Sequence, residues 1–346
     1  MIPMSHSLFT SDELIAIRNE HLARLESLYA GEHLSHAFVL CGIGGPTWPE
    51  PVTDPVKWVT DSLDQLTEWS QYAWDTKIFR PLCLETWYYG VHFVDAVLGA
   101  TVIPVEQEGS GGWWTECLKT PVGSLKSLGL DENILWGQAR ALALAMRDTG
   151  ATVPFLGPQV LASPLNIAVN LYGEEFLVAL ALEPEAAQHD LRIITDTIVA
   201  MTNWYREHMP ESQFQPIGAA FRAQPGGFGQ ICGCSTQLVS MSSYEEFIAP
   251  LDKEVLSCFP KGGMIHLCGS HTQHIPTWRD MPEMRAFQLN DRASDDFEVY
   301  FKELRDDQII YFSPTEDTTI KRAMDISGGR RIVIVANLTD APECDR

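Results

Sequence analysis

The chain has 346 residues, with 24 Lys and Arg against 46 Asp and Glu, which gives a formal net charge of −22 at pH 7. Recognition of nucleic-acid phosphates needs a basic surface, so this balance excludes a nucleic acid as the expected partner. Hydrophobic residues make up 45% and charged residues 20% of the chain, which are proportions of a folded, enzyme-sized protein and not of a disordered one.

No stretch approaches the length of apolar sequence that a transmembrane helix needs. Residues 1–31 lack the order of basic, apolar and small residues that is typical of a secretory signal peptide. We therefore expect a cytoplasmic protein that does not bind membranes. In a reducing compartment, its eight cysteines are expected to be buried thiols, metal ligands or reactive groups rather than disulfides.

The N-terminal region is rich in Trp and Pro and shows helical periodicity. A capped amphipathic helix is predicted after Ser11, and a second helical pattern runs through residues 59–69. We predict that residues 1–80 form a helical and irregular extension, ahead of a main domain at 81–346.

Beyond the extension, short runs of β-branched and aromatic residues alternate with longer helical windows. The predicted strands are 86–89, 102–105, 153–155, 215–219, 229–233, 264–268, 286–289, 308–312 and 331–336. The predicted helices among them are 174–182, 185–207, 244–258 and 295–304.

This alternation predicts an α/β protein whose fold is a (β/α)8 TIM barrel with an N-terminal helical decoration. A doubly wound open sheet is the rival fold, but no Gly-rich fingerprint follows an early strand. In a TIM barrel the active site lies at the carboxyl ends of the strands, so polar residues at those ends are the candidates for function.

The predicted strand at 264–268 carries the strongest chemical signal. Side chains alternate between the two faces of a strand, so Met264, His266 and Cys268 share one face. A histidine nitrogen beside a cysteine thiolate suits Zn²⁺, and a third protein ligand with one open position would make the site catalytic. Zinc bound in this way lowers the pKa of a coordinated thiol or water.

A second cysteine pair, Cys232 and Cys234, stands at the end of the strand that precedes this one along the chain. Their spacing also directs both thiols to one face of a strand. One of them is a candidate third zinc ligand, and the alternative is that both thiols only line the substrate pocket.

Further candidates stand at other predicted strand ends and in loops. Glu85, at the first predicted barrel strand, is a candidate general acid or additional zinc ligand. Asn290 and Asn337, at the ends of two later strands, are candidate catalytic residues that would face the substrate. His271 and Trp113 are the predicted cofactor-binding residues, one just beyond the His-x-Cys strand and one in a glycine-flanked segment that could act as a lid.

These stretches together resemble the uroporphyrinogen decarboxylase superfamily over about residues 85–337. The resemblance is carried by the segments ETWYYGVHFVDAVLGATVIP, PFLGPQVLASPLNIAVNLYGEEFLVALALEPEAAQ, YEEFIAPLDKEVL and GGMIHLCG. It implies a TIM barrel. Members of the superfamily include decarboxylases of uroporphyrinogen, and zinc enzymes that move methyl groups between a corrinoid and a thiol such as coenzyme M or homocysteine.

Two features make the chain more similar to the methyltransferase branch. It lacks the N-terminal Arg-Gln-Ala-Gly-Arg-Tyr segment by which the decarboxylases resemble one another, and its early region reads CGIGGPTWPEPVTDP. It has the His-x-Cys of the methyltransferases at His266 and Cys268. The third zinc ligand of that branch is typically a cysteine near the end of the chain, for which Cys344 is the nearest candidate here.

The resemblance therefore implies zinc-dependent methyl transfer from a methylated corrinoid, carried on a partner protein, to a small thiol. One alternative is a cofactor-free decarboxylase that acts on uroporphyrinogen or another carboxylated substrate. The other is a non-catalytic barrel that binds a corrinoid or a partner protein. Metal content distinguishes the first hypothesis from the others, and porphyrin turnover identifies the second.

Overall fold

The structure is a computed structural model that describes residues 7–42, 52–86, 88–107, 110–127, 129–158, 162–215 and 220–337. The strands in these ranges are β1 (Phe38–Gly42), β2 (Ile78–Phe79), β3 (Cys83–Glu85), β4 (Val102–Gln107), β5 (Ser110–Thr115), β6 (Phe155–Gly157), β7 (Gly229–Cys232), β8 (Gly263–Cys268), β9 (Met284–Asn290), β10 (Ile309–Phe312) and β11 (Ile332–Asn337). The α-helices are α1 (Asp12–Tyr29), α2 (Pro55–Trp69), α3 (Phe93–Val97), α4 (Ile134–Asp148), α5 (Pro164–Tyr172), α6 (Glu174–Leu182), α7 (Pro184–His208), α8 (Met241–Ser243), α9 (Ala249–Ser257), α10 (Ile275–Asp280), α11 (Arg292–Asp295), α12 (Phe297–Glu303) and α13 (Ile320–Ser327).

Seven parallel strands form the main sheet, in the order β2-β1-β11-β10-β9-β8-β7. A second parallel ladder pairs β3 with β6. Single bridges then join Leu156 to Phe214, and Ala162 to Cys232 of β7. The fold is a mixed α/β fold that is compatible with a TIM barrel, although the ladders between the described residues do not close into a ring.

Both faces of this sheet are buried, as parallel strands require. In β1, Phe38 and Leu40 belong to one apolar core, whereas Val39 and Cys41 belong to another that includes the helices. The first of these cores lies on the inner face and draws side chains from eight strands. Its strand members are Phe38, Leu40, Phe79, Cys83, Phe155, Met264, Ala286, Ile309, Tyr311, Val333 and Val335.

A short loop enters the inner core and becomes important for the site. The 3₁₀ helix Ala220–Arg222 is followed by Ala223, whose carbonyl accepts a hydrogen bond of 2.8 Å from the Tyr311 hydroxyl. The next residue, Gln224, is fully buried and donates from its side chain to the Gly229 carbonyl at 2.8 Å. These bonds fix the loop against the inner face of the sheet.

Five of the six predicted strands in the second half of the chain are confirmed, because β7 to β11 each overlap one of them. The first third differs. β1 and β2 lie where helices and loops were expected, since a short strand that is buried at nearly every position has no alternation by which to recognise it. The helical predictions are confirmed by α1, α2, α6 and α7. The domain boundary at residue 80 stays a prediction, although β1 and β2 belong to the main sheet.

Two predicted strands need correction, and a third lies largely outside the described residues. The strand expected at 86–89 lies earlier, as β3, and Tyr89 has a left-handed φ of 61° that is incompatible with a strand. The strand expected at 102–105 exists as β4, but it pairs with β5 in an antiparallel hairpin outside the main sheet. Of 215–219, only Gln215 lies within the described residues.

Helices α5 and α6 are joined at a sharp corner. Ser163 caps α5 by accepting a hydrogen bond from the Asn166 backbone, and Gly173 ends the helix with a φ of 64°. In the described part of the chain, no single helix is long and apolar enough to cross a membrane. The pair α5 and α6 reaches that length and hydropathy together, but it is bent by 113°.

A buried carboxyl group outside the sheet makes stability depend on pH. Asp252 of α9 is fully buried and accepts a hydrogen bond of 2.7 Å from the Tyr244 hydroxyl. Burial raises the pKa of Asp252 from 3.8 to about 7. Between these values the folded protein keeps a proton that the unfolded chain has released, so the stabilisation present below pH 4 is lost as the pH rises to 7.

We expect the Asp252→Asn variant to lack this loss, because an amide does not ionise. The difference in unfolding free energy between variant and wild type should shift in favour of the variant by a few kcal/mol from pH 4.5 to 7.5, at about 1.4 kcal/mol per pKa unit. Urea unfolding at a series of pH values measures it. A difference that stays constant with pH would contradict the assignment.

Candidate metal centre

Two neighbouring parallel strands bring the cysteine and histidine side chains together. Cys232 of β7 pairs in register with His266 of β8, and Cys234 follows β7 at the start of a 3₁₀ helix. The ligand atoms of Cys232, Cys234 and His266 all lie within 4.8 Å of one another. Cys268 lies on β8 with His266, and its Sγ is 3.2 Å from the His266 Nε2.

The cluster has the donor atoms that zinc prefers, an imidazole nitrogen and several thiols. The Sγ atoms of Cys232 and Cys234 are 3.7 Å apart. Hydrogen bonds from the Cys234 thiol lower the pKa of both Cys232 and Cys268. The same bonds raise the pKa of Cys234. Donation by Cys234 therefore favours the thiolate form, which a metal ligand needs, at the other two sulfur atoms.

Amide side chains surround the sulfur atoms. The Asn166 Nδ2 donates to the Cys232 Sγ at 3.7 Å, and its Oδ1 accepts from the Ser235 backbone at 2.8 Å. Asn290 of β9 pairs with Cys268 of β8, and its Nδ2 lies 3.9 Å from the Cys268 Sγ. These amides direct N–H groups at the sulfurs, which is the arrangement that favours thiolates.

The histidine is oriented by a glutamine on the neighbouring strand. The His266 Nδ1 is hydrogen-bonded to the Gln288 Oε1, so Nε2 is left to face the sulfur atoms. Gln288 is fully buried, and its Nε2 donates to the Ser313 Oγ at 3.2 Å. A partner of this kind fixes the tautomer and the ring orientation of a metal-binding histidine.

We expect the Gln288→Met variant to remain folded and to bind zinc about 10- to 100-fold more weakly, because the loss of such a partner has costs of this size. Methionine has a similar length but cannot accept a strong hydrogen bond from His266. Competition with a chromophoric chelator measures the affinity. An unchanged affinity would mean that Gln288 does not orient the ring.

Two charged side chains lie at the same end of the sheet. Glu85 ends β3, and its Oε1 accepts a hydrogen bond of 2.8 Å from the Ala220 backbone. Burial raises the pKa of Glu85. Two residues after Ala220, Arg222 is also buried, and its guanidinium group lies 5.0 Å from the centre of the Phe221 ring.

The structure brings together several of the residues that the sequence pointed to. His266 and Cys234 lie in the cluster with Cys232, and Cys268 and Asn290 lie beside it. Their predicted roles in metal binding and catalysis stay predictions.

Other predicted site residues use their side chains in contacts within the protein, or lie wholly or partly outside the described residues. His271 is buried, with Nδ1 bonded to the Thr236 Oγ1 at 2.8 Å and Nε2 to the Cys268 carbonyl at 2.6 Å, so both ring nitrogens are used within the protein. The half-buried Trp113 packs against two tyrosine rings, with centroids 5.9 Å and 5.0 Å away. Asn337 ends β11, but its side chain is outside the described residues, as is all of Cys344.

Asn166, Gln288 and Arg222 were not singled out from the sequence. For Gln288 a signal existed, because alternation along β9 gives it the same face as Asn290. Asn166 contacts Cys232, and Arg222 lies at the same end of the sheet, only because distant segments fold together.

Comparison with known proteins gives a likeness in fold. No protein-family model matches the chain, and no curated protein matches it. A solved structure of a methyltransferase from Methanosarcina mazei is similar with a TM-score of 0.63, at 12% sequence identity, over 91% of this chain and 92% of that one. At an identity of 12%, the likeness shows a shared fold, and it covers nearly the whole chain.

Proposed function

We propose that the protein is a zinc-dependent methyltransferase that moves a methyl group from a methylated corrinoid to a small thiol. The observation that carries the proposal is the cluster of Cys232, Cys234 and His266 at the carboxyl ends of two parallel strands. The likeness in fold to a methyltransferase supports the reaction class. The inner core, shared by eight strands, supports a closed TIM barrel with the site at its mouth.

The residues of the cluster fit a zinc ion. Three ligand atoms within 4.8 Å of one another match the spacing of ligands around one tetrahedral ion. Cys232, Cys234 and His266 would hold it, and the fourth position is one that either Cys268 or a substrate thiol would take. Zinc bound there supplies Lewis acidity, which keeps a bound thiol in its reactive thiolate form at neutral pH.

The protein's own residues then have defined tasks. Gln288 holds His266 in one orientation, and Asn166 donates a hydrogen bond to the Cys232 sulfur. In the transfer, the sulfur of the substrate thiol forms a bond to the methyl carbon while the bond between cobalt and carbon breaks. The electron pair of that bond leaves with cobalt, so the corrinoid is released in its Co(I) form. The proton of the thiol goes to solvent. We also propose that a partner protein carries the corrinoid.

The test uses the full chain loaded with zinc, together with methylcobalamin and either 2-mercaptoethanesulfonate or homocysteine, without oxygen. Methyl thioether is measured by mass spectrometry, and the loss of methylcobalamin by its visible spectrum. We expect thioether formation that depends on zinc and is abolished in His266→Ala, while Cys117→Ala, at an exposed cysteine, keeps it.

If the zinc-loaded protein forms no thioether with either thiol, the proposed reaction is wrong. Decarboxylation of uroporphyrinogen by the metal-free protein would instead support the decarboxylase alternative.

A further inference from the structure

Arg222 is a buried cation for which the described part of the chain provides no hydrogen-bonding partner. Its side chain belongs to a residue that is only 8% exposed, and its Nε is buried with no partner. Among the described residues, no hydrogen bond or ion pair of the guanidinium group occurs, and the group lies over the face of the Phe221 ring. Burying a charge in this way has a large cost unless something compensates it.

Its position is at the mouth of the sheet, on the side of the metal centre. Phe221 lies against the end of β1, where a Cβ on Gly42 would come within 3.1 Å of the phenylalanine Cβ. Ala220 is held by Glu85 at the end of β3. The carboxyl ends of β1 and β3 lie at the same edge as the carboxyl end of β7, which carries Cys232. Burial lowers the pKa of Arg222, and negative charge on Cys232, Cys234 and Cys268 opposes this effect.

The neighbouring acidic groups do not pair with it. Glu85 interacts with Arg222 through charge, but the two side chains form no ion pair, and Glu85 instead accepts a hydrogen bond from the Ala220 backbone. The sulfur atoms are also the candidate zinc ligands, and a bound Zn²⁺ would neutralise much of their charge. The guanidinium group therefore keeps free N–H donors in a fork that suits two oxygen atoms of an anion.

The geometry points to Arg222 as the residue that binds the anionic group, a carboxylate or sulfonate, of the thiol that accepts the methyl group. This inference rests on the proposed function, because it assigns the substrate class of the same site. It implies that an acidic thiol is preferred over a neutral thiol of equal length, and that Arg222 is a residue that determines specificity.

The experiment measures binding, not turnover. Zinc-loaded wild type, Arg222→Gln and Arg222→Lys are titrated by calorimetry with 3-mercaptopropionate, 2-mercaptoethanesulfonate and the neutral 3-mercaptopropanol. Arg147→Gln is the matched control, since Arg147 is a half-exposed arginine paired with Asp148 on the surface. Zinc content and thermal unfolding are recorded for every variant, so that weak binding is not confused with a damaged site.

We expect wild type to bind the anionic thiols about 10- to 100-fold more tightly than the neutral thiol, as a charge-assisted, two-pronged bond provides. Arg222→Gln should lose this preference and bind the neutral thiol as wild type does. Arg222→Lys should keep part of the preference, because it retains the charge without the fork. A carboxylate preference without a sulfonate preference would identify the acceptor as a carboxylic acid, and the reverse would identify a sulfonic acid.

Metal-free protein separates this inference from the proposed function. Propionate should raise the unfolding temperature of metal-free wild type and not of metal-free Arg222→Gln, even if no thiol binds to the zinc-loaded protein and methyl transfer fails. The inference is overturned if wild type binds anionic and neutral thiols equally tightly, or if propionate stabilises metal-free Arg222→Gln as much as metal-free wild type. It is also overturned if Arg222→Gln lowers zinc affinity and leaves the preference intact, because Arg222 would then serve as the counter-ion of the cysteines.

Discussion

The His266→Ala variant is expected to bind zinc at least about 100-fold more weakly than wild type, since the loss of a ligand exceeds the effect of losing an outer partner. Wild type should hold about one zinc ion per chain. Cys232→Ala should show the same loss, because its sulfur lies within 4.8 Å of both other ligand atoms. Equilibrium competition with a chromophoric chelator, supported by metal analysis, measures the affinity.

Matched variants show which sulfur atoms take part. Cys117→Ala and Cys258→Ala remove cysteines outside the cluster and should leave zinc binding unchanged. Cys234→Ala and Cys268→Ala compare the third and fourth candidate ligands, and Cys344→Ala tests the ligand that the family resemblance implies. The metal centre is refuted if folded His266→Ala and Cys232→Ala both bind zinc as wild type does.

The Gly263→Ala variant is expected to be less stable by about 3 kcal/mol or more, at the upper end of the cost of overpacking. A Cβ on Gly263 would lie 2.3 Å from the backbone oxygen of Gly229, on the paired strand β7. Backbone cannot move aside as a flexible side chain does, so β7 must shift against β8. The same pair of strands carries Cys232 opposite His266, so zinc affinity should fall together with stability.

The control for this variant is Gly137→Ala, since a Cβ on Gly137 in α4 meets no atom within 4 Å. It should gain up to about 1 kcal/mol through the higher helix propensity of alanine. Urea unfolding of wild type and both variants provides the comparison. Equal stability of Gly263→Ala and wild type would show that the strands tolerate the added methyl group, and the tight β7–β8 contact would be wrong.

The regular part of the fold was predictable because strands β7 to β11 are apolar runs separated by helices. The strands at the beginning of the chain were harder to predict. β1 is buried at nearly every position and β2 has only two residues, so neither carries a periodic signal. The sequence of β4 resembles that of a barrel strand, and only the tertiary structure shows that β4 pairs antiparallel with β5 outside the main sheet.

The sequence by itself determined that His266 and Cys268 share one face of a strand, because side-chain alternation is a local property. It left open whether Cys232, Cys234 or Cys344 stands near them. The tertiary structure decided this for the first two, since parallel pairing brings Cys232 opposite His266 and the loop after β7 adds Cys234. Register between strands depends on packing along the whole sheet, which no short stretch of sequence contains.

The surroundings of the cluster likewise came only from the fold. Gln288 reaches His266 through the register of β8 with β9, and Asn166 reaches Cys232 from a helix that lies 66 positions earlier in the chain. The loop of Arg222 is held at the same end of the sheet as the cluster by bonds such as those from Tyr311 to Ala223 and from Ala220 to Glu85. The ligand residues are visible in the sequence, whereas the groups that orient them and complete the site depend on contacts between distant segments.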